Sequence, residues 1–275
     1  MRLLVLTTIV MLAFAANSVL TRFALAEGAI GPSAFAIVRV VSGALMLAIL
    51  VYWQDRRVFD LGEVSALSAG SLTLYVLGFS YAYVSLDTGV GALILFGGVQ
   101  ITMFAGAVLA RDHVPVARWI GAAVALGGLA YLLAPGSQAP GFSGTLLMAA
   151  AAIGWGYYSL YGRGVARPLQ ATAGNFLLAI PVAIAVGLLF WDSAAAQPNG
   201  IVLAVISGAI TSGLGYALWY KVLPQLQATV AAVAQLTVPV IAAAGGIVFL
   251  GEGLSLRFVV ASVMILGGVA VAVWR

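Results

Sequence analysis

Trp155 sits in Gly154-Trp155-Gly156-Tyr157-Tyr158, far from either end of a long apolar run and flanked by two glycines. Small neighbours leave room for a ring to turn into a cavity, and they also let helices approach closely. A ring so placed offers a stacking surface to a planar or apolar ligand. Its plainer role is packing, with the indole N–H on a carbonyl. Tyr75, Phe79 and Tyr83 recur every four residues and so share one helix face. Moved along the chain by 140 positions, Phe79 falls on Trp219, with Tyr216 one turn earlier. Two such faces fit a lined cavity, although aromatic stripes more often pack.

The polar groups at depth are few: Asn17, Ser18, Ser80, Gln100, Asn175, Thr211, Ser212 and Gln235. In a membrane such groups are costly and often functional. Their other role is helix-to-helix hydrogen bonding, at about 0.6 kcal/mol each. Gln235 lies one turn before Pro239. A proline has no N–H and clashes with the preceding turn, so Pro239 is expected to kink or open its helix and to act as a hinge. The candidate substrate-binding residues are therefore Trp155, Gln235, Tyr75, Phe79, Tyr158, Tyr216, Asn17, Gln100 and Asn175. Arg39 is the one cation well inside an apolar run. It can receive a substrate carboxylate or snorkel toward a loop acid, and the structural role is the simpler one.

The eight acids are Glu27, Asp55, Asp60, Glu63, Asp87, Asp112, Asp192 and Glu252, and each falls at a helix end or in a loop. Proton-coupled export of cations usually needs a carboxylate inside the membrane. Their placement favours a facilitator of neutral or zwitterionic substrates. An enzyme would need a nucleophile with its base, or a metal cluster. There is no cysteine, the one histidine (His113) lies in a loop, and no HExxH occurs, so no cofactor, metal site or catalytic residue is expected. A channel would want charge rings or a carbonyl filter, and neither signature is present.

The elements that hold these residues follow from composition. Of 275 residues, 63% are hydrophobic and 7% charged, against about 25% charged in a soluble domain. The class is an all-α, polytopic membrane protein. With about 20 apolar residues per span, ten spans are predicted, at 3–25, 32–53, 63–84, 88–110, 115–134, 142–162, 168–190, 199–221, 226–250 and 255–274. The first is read as a retained span rather than a cleaved signal. The small-xxx-small pairs Gly208/Ser212, Gly121/Ala125 and Ala66/Gly70 are expected to be close-packing sites. Arg22, Lys221 and Arg163, near span ends, read as anchors.

Charge fixes the orientation. With the N-terminus in the cytoplasm, Arg2, Arg56, Arg57, Arg111, Arg118, Arg163, Arg167, Lys221 and Arg275 fall inside, and Arg22 and Arg257 outside. That bias places both termini in the cytoplasm. Tyr52, Trp53, Trp119, Trp191, Trp219, Tyr220 and Trp274 lie near predicted span ends, as belt aromatics do.

The chain also repeats. Shifting residues 86–133 by 140 gives ten identities in 48 positions, including Gly127-Gly128 on Gly267-Gly268, and Asp112 falls on Glu252. Two halves of five spans must insert with opposite orientation. Residues 1–134 and 142–275 are thus expected to be inverted five-helix repeats around a central cavity, joined by the uncharged extracytoplasmic stretch 135–141. The first half lacks counterparts to Gln235 and Pro239, having Leu95 and Val99 there.

This pattern resembles the EamA-type, ten-helix branch of the drug/metabolite transporter superfamily. The resemblance rests on Ala16-Asn17-Ser18 with Thr21-Arg22, Arg39, Gln235, Pro239, and Gly251-Glu252 leading to Gly267-Gly268. It is nearest to the bacterial aromatic amino-acid exporters. It implies a basket of ten helices, alternating access and export of amino acids or similar small metabolites from a bacterial inner membrane. The alternative is a proton-coupled exporter of drugs or other metabolites. The expected partners are a small-molecule substrate and the bilayer, without nucleic acid, and a monomer is compatible with this.

Overall fold

The computed structural model describes residues 1–55, 64–111, 114–136, 139–162, 165–191, 196–226 and 228–273. Ten helical units carry most of them: α1 Arg2–Ala26, α2 Pro32–Asp55, α3 Ala66–Ala82, α4 Thr88–Leu109, α5 Val116–Leu133, α6 Phe142–Gly162, α7 Pro168–Leu189, α8, α9 Ala228–Leu250 and α10 Leu256–Val273. Unit α8 is composite, with α-helix at Pro198–Val205, π-helix at Ile206–Leu214 and α-helix again at Gly215–Val222. Every expected span has its helix. Eight of the described helices are long and apolar enough to cross a bilayer, α3 is a shorter apolar helix, and α6 has 21 residues. The chain is a multi-pass membrane protein.

Local chemistry sets the ends. Gly28 and Gly251, at φ +64 and +68, take the left-handed conformation that closes α1 and α9. Pro168 and Pro198 occupy first-turn positions, where a missing N–H costs nothing. Ser65 caps α3 through a reciprocal pair with Ser68.

The helices pack as α5–α10, α3–α6, α2–α7, α4–α6, α2–α8, α1–α9, α4–α9, α3–α7 and α1–α8. Exchanging each helix with the one five places away leaves these principal pairings unchanged. Glycines set the closest approaches. A Cβ on Gly268 of α10 would stand 2.6 Å from the Gly121 carbonyl oxygen of α5. A Cβ on Gly208 of α8 would run into the Arg39 carbonyl and Ser42 Oγ of α2. The pair Ala66/Gly70 departs from expectation: Gly70 faces open space, with nothing within 4 Å of a Cβ there, so it is not a packing contact.

Helix α9 carries Pro239 in its middle. Its winding continues through Pro239 from Ala228 to Leu250 rather than opening. The missing N–H still leaves the Gln235 carbonyl without its helical donor. The real change of winding lies in α8, where the i→i+5 segment contains no proline. Such segments recur at functional sites.

Asp112, His113, Arg56, Arg57, Asp60, Glu63, Arg163, Asp192, Trp274 and Arg275 lie outside the described residues. Of the expected belt aromatics, Tyr52, Trp53, Trp119 and Trp191 are exposed as anticipated. Trp219 is not one of them, being buried at 5% exposure against Phe14.

Candidate functional site

Four helices bring their rings together at the centre of the bundle. Trp155 of α6 is 6% exposed, and its ring centroid lies 4.8 Å from Tyr75 of α3 and 4.9 Å from Tyr216 of α8. Phe14 of α1 closes the group edge-on, 6.2 Å from Trp155 and 5.8 Å from Tyr216. Phe79 lies 5.5 Å from Tyr75, and Tyr158 lies 5.6 Å from Trp155. Such offset and edge contacts are each worth about 0.5–1.5 kcal/mol beyond the area buried. Glycine makes the approach possible: a Cβ on Gly154 would stand 2.6 Å from the Ser71 carbonyl of α3.

Polar groups converge on the same place. The Tyr75 hydroxyl oxygen accepts from Arg39 Nη2 at 3.2 Å, from the Tyr216 hydroxyl at 3.0 Å and, weakly, from Asn17 Nδ2 at 3.5 Å. Asn17 Oδ1 accepts from Ser207 Oγ at 2.7 Å and Thr211 Oγ1 at 3.0 Å. Arg39 Nε donates to Ser212 Oγ at 3.3 Å. The π-helical winding explains this grouping. It sets Ser207 and Ser212, five apart, on one face with Thr211, toward both Asn17 and Arg39.

A second polar group lies between α3, α6 and α7. Ser68 Oγ donates to Asn175 Oδ1 at 2.9 Å, and the Tyr158 hydroxyl donates to Thr172 Oγ1 at 3.1 Å. These residues line a cavity of about 260 Å³ with Tyr161, Tyr220 and Pro168, where α3 and α7 begin. Tyr158 thus has this cavity on one side and Trp155 on the other.

At the opposite end of α1, Arg22 lies 3.5 Å from both Asp87 and Glu252 and donates to the Tyr83 and Val84 carbonyls at 3.0 Å. The expected anchor is instead the centre of a four-helix junction.

The structure therefore unites Trp155, Tyr75, Phe79, Tyr216 and Asn17, and sets Tyr158 and Asn175 beside them along the cavity. Gln235 and Gln100 are half-buried, with no hydrogen bond from either side chain among the described residues. Phe14, Ser207 and Thr211 belong to the central group. Thr211 carried a signal as a polar residue at depth, whereas Phe14 lay in an apolar run with nothing to mark it.

The sequence pattern of the EamA-like transporter family matches residues 142–274. An uncharacterized protein of Pseudomonas aeruginosa is 45% identical over 269 residues, 98% of this chain and 93% of its own length. The chain belongs to the EamA-like transporter family. An uncharacterized transporter of Archaeoglobus fulgidus is 23% identical over 273 residues, 95% of this chain and 94% of that one. One crystal structure shares the fold of this EamA-like transporter, with TM-score 0.67 at 20% identity over 96% of this chain and 95% of that one. Family membership makes membrane transport of small molecules the activity to which the buried ring cluster must answer.

Proposed function

We propose that this transporter exports amino acids, aromatic or large neutral ones, from the cytoplasm of a bacterium across the inner membrane. Residues 1–134 and 142–275 act as two inverted halves that alternate access to the central ring cluster. The observation that carries the reading is that cluster: Trp155, Tyr75, Tyr216 and Phe14, from four helices, meet beside a polar hub in the middle of the bundle. Flat, apolar side chains suit such walls, and the nearby hydroxyl, amide and guanidinium groups suit an amino acid's charged end.

The symmetric helix pairing supports the two-halves reading, as a two-fold between inverted repeats would produce it. The positive-inside bias supports cytoplasmic termini. In that orientation the 260 Å³ cavity lies toward the cytoplasm, and the Arg22 junction lies toward the outer side beside a cavity of about 350 Å³ lined by Asp87 and Glu252. Asp87 and Glu252 are held by Arg22 away from the rings. That supports a facilitator without proton coupling, with Pro239 as a hinge of α9.

Efflux tests direction and substrate class together. Cells overproducing the transporter, preloaded with labelled phenylalanine, tryptophan, threonine or lysine, should release the aromatic pair faster than cells without it. Equal release of all four would refute the assignment.

A further inference from the structure

Arg39 lies in the eighth position of α2 and is 0% exposed. Its guanidinium has five N–H donors and keeps its charge at any accessible pH. Two nitrogens are engaged, Nε with Ser212 Oγ and Nη2 with the Tyr75 hydroxyl. The third, Nη1, is buried without a hydrogen-bond partner. The charge stands 4.7 Å over the Phe79 ring and 5.5 Å from that of Tyr75. Ring faces compensate a cation only in part. Among the described residues no carboxylate pairs with it, since Asp87 and Glu252 belong to Arg22. A buried charge without a counter-charge is strongly disfavoured.

The neighbours repeat the imbalance. Arg39, Tyr216 and Asn17 all aim donors at one hydroxyl oxygen, that of Tyr75, which has two lone pairs. The centre of the bundle is rich in donors and short of an acceptor. Ring packing alone does not call for that; an anion does.

We propose that Arg39 is the receptor for an anionic group of the cargo, a carboxylate, with Nη1 and the Tyr75 hydroxyl as its first donors. This rests on taking the ring cluster as the cargo site. The cargo brings the counter-charge that the fold withholds, so loading the site also neutralises it. Arg39 would then discriminate among aromatic molecules by charge, while Trp155, Tyr75 and Tyr216 discriminate by shape. Gly208 keeps the receptor in place, because α8 lies directly against the Arg39 carbonyl.

The test is equilibrium binding to the purified full chain in detergent. The probes are phenylalanine, 3-phenylpropionate, phenylalaninamide, phenethylamine and acetate, each also measured with Arg39→Gln and Arg39→Lys. The expected result is that phenylalanine and 3-phenylpropionate bind the wild type at least about tenfold tighter than the amide and the amine. Arg39→Gln should abolish that preference, and Arg39→Lys should keep part of it. The wild-type series decides the matter even if a variant fails to fold. Equal binding of acid and amide would overturn the Arg39 assignment while leaving the rings as a site for aromatic cargo. Acetate bound as tightly as phenylalanine, with the same Arg39 dependence, would support the receptor and remove the aromatic preference. Binding of none of the probes would overturn both.

Discussion

Glu252 caps a helix from the other half of the chain. Both of its carboxylate oxygens lie 2.9 Å from the Thr88 backbone nitrogen, and Oε1 is also 3.0 Å from Thr88 Oγ1. Thr88 is the first residue of α4, whose N-cap Asp87 makes no side-chain capping bond. A negative charge at a helix N-terminus is favoured by the free N–H groups and the helix dipole. The α9–α10 turn thus supplies what α4 lacks, and Arg22 ties the same carboxylate to α1.

Replacing Glu252 should therefore weaken the junction in two steps. Glu252→Gln removes the charge but keeps an acceptor, at about 1 kcal/mol, and should lower the melting temperature in detergent by a few degrees. Glu252→Ala leaves the Thr88 N–H without its partner and should lower it further. Equal melting of all three proteins would contradict the cap.

Two glycine substitutions make a matched pair. Gly208→Ala would drive a methyl into the Arg39 carbonyl, a backbone atom that cannot yield without moving α2. Gly70→Ala meets open space in the middle of a helix. The first should fail to give a monodisperse protein on size exclusion, and the second should melt no lower than wild type.

The hydroxyl hub predicts non-additivity. Tyr75→Phe strands the donors of Arg39 and Tyr216, at about 1–3 kcal/mol, and Tyr216→Phe removes one of those donors. The double variant should be more stable than the sum of the two losses by roughly 1 kcal/mol, measured by denaturant unfolding in micelles. Additive losses would mean the hydroxyls are not coupled.

Trp155 predicts a size series. Trp155→Ala opens a void against Tyr75 and Tyr216, while Trp155→Phe keeps a flat apolar wall. Transport of aromatic amino acids should show KM raised about tenfold or more for Ala and much less for Phe. An unchanged KM in both would remove Trp155 from the cargo site.

The helices were legible in the sequence because a bilayer demands long apolar runs and leaves loops to charge, proline and glycine. Trp155, Tyr75, Phe79 and Tyr216 were legible because large rings inside such runs are unusual. Phe14 was not, since a phenylalanine in an apolar span carries no signal of what it touches. Gln235 and Pro239 drew attention as an amide beside a proline, yet α9 runs on through them, and the change of winding falls at the proline-free stretch 206–214. That π-segment lies where α8 meets α2 through Gly208, a tertiary contact that no local pattern encodes. The Arg22 junction was hidden for the same reason. Its partners come from 65 and 230 residues along the chain.

The most direct measurement is counterflow in proteoliposomes. Vesicles holding the purified transporter are loaded with unlabelled phenylalanine, tryptophan, threonine or lysine and given labelled phenylalanine outside, with and without a collapsed proton gradient. Uptake driven by internal phenylalanine and tryptophan, weak with threonine and lysine and undiminished after collapse, is the predicted result. No exchange with any amino acid, or exchange that stops when the gradient is collapsed, would contradict an aromatic amino-acid facilitator.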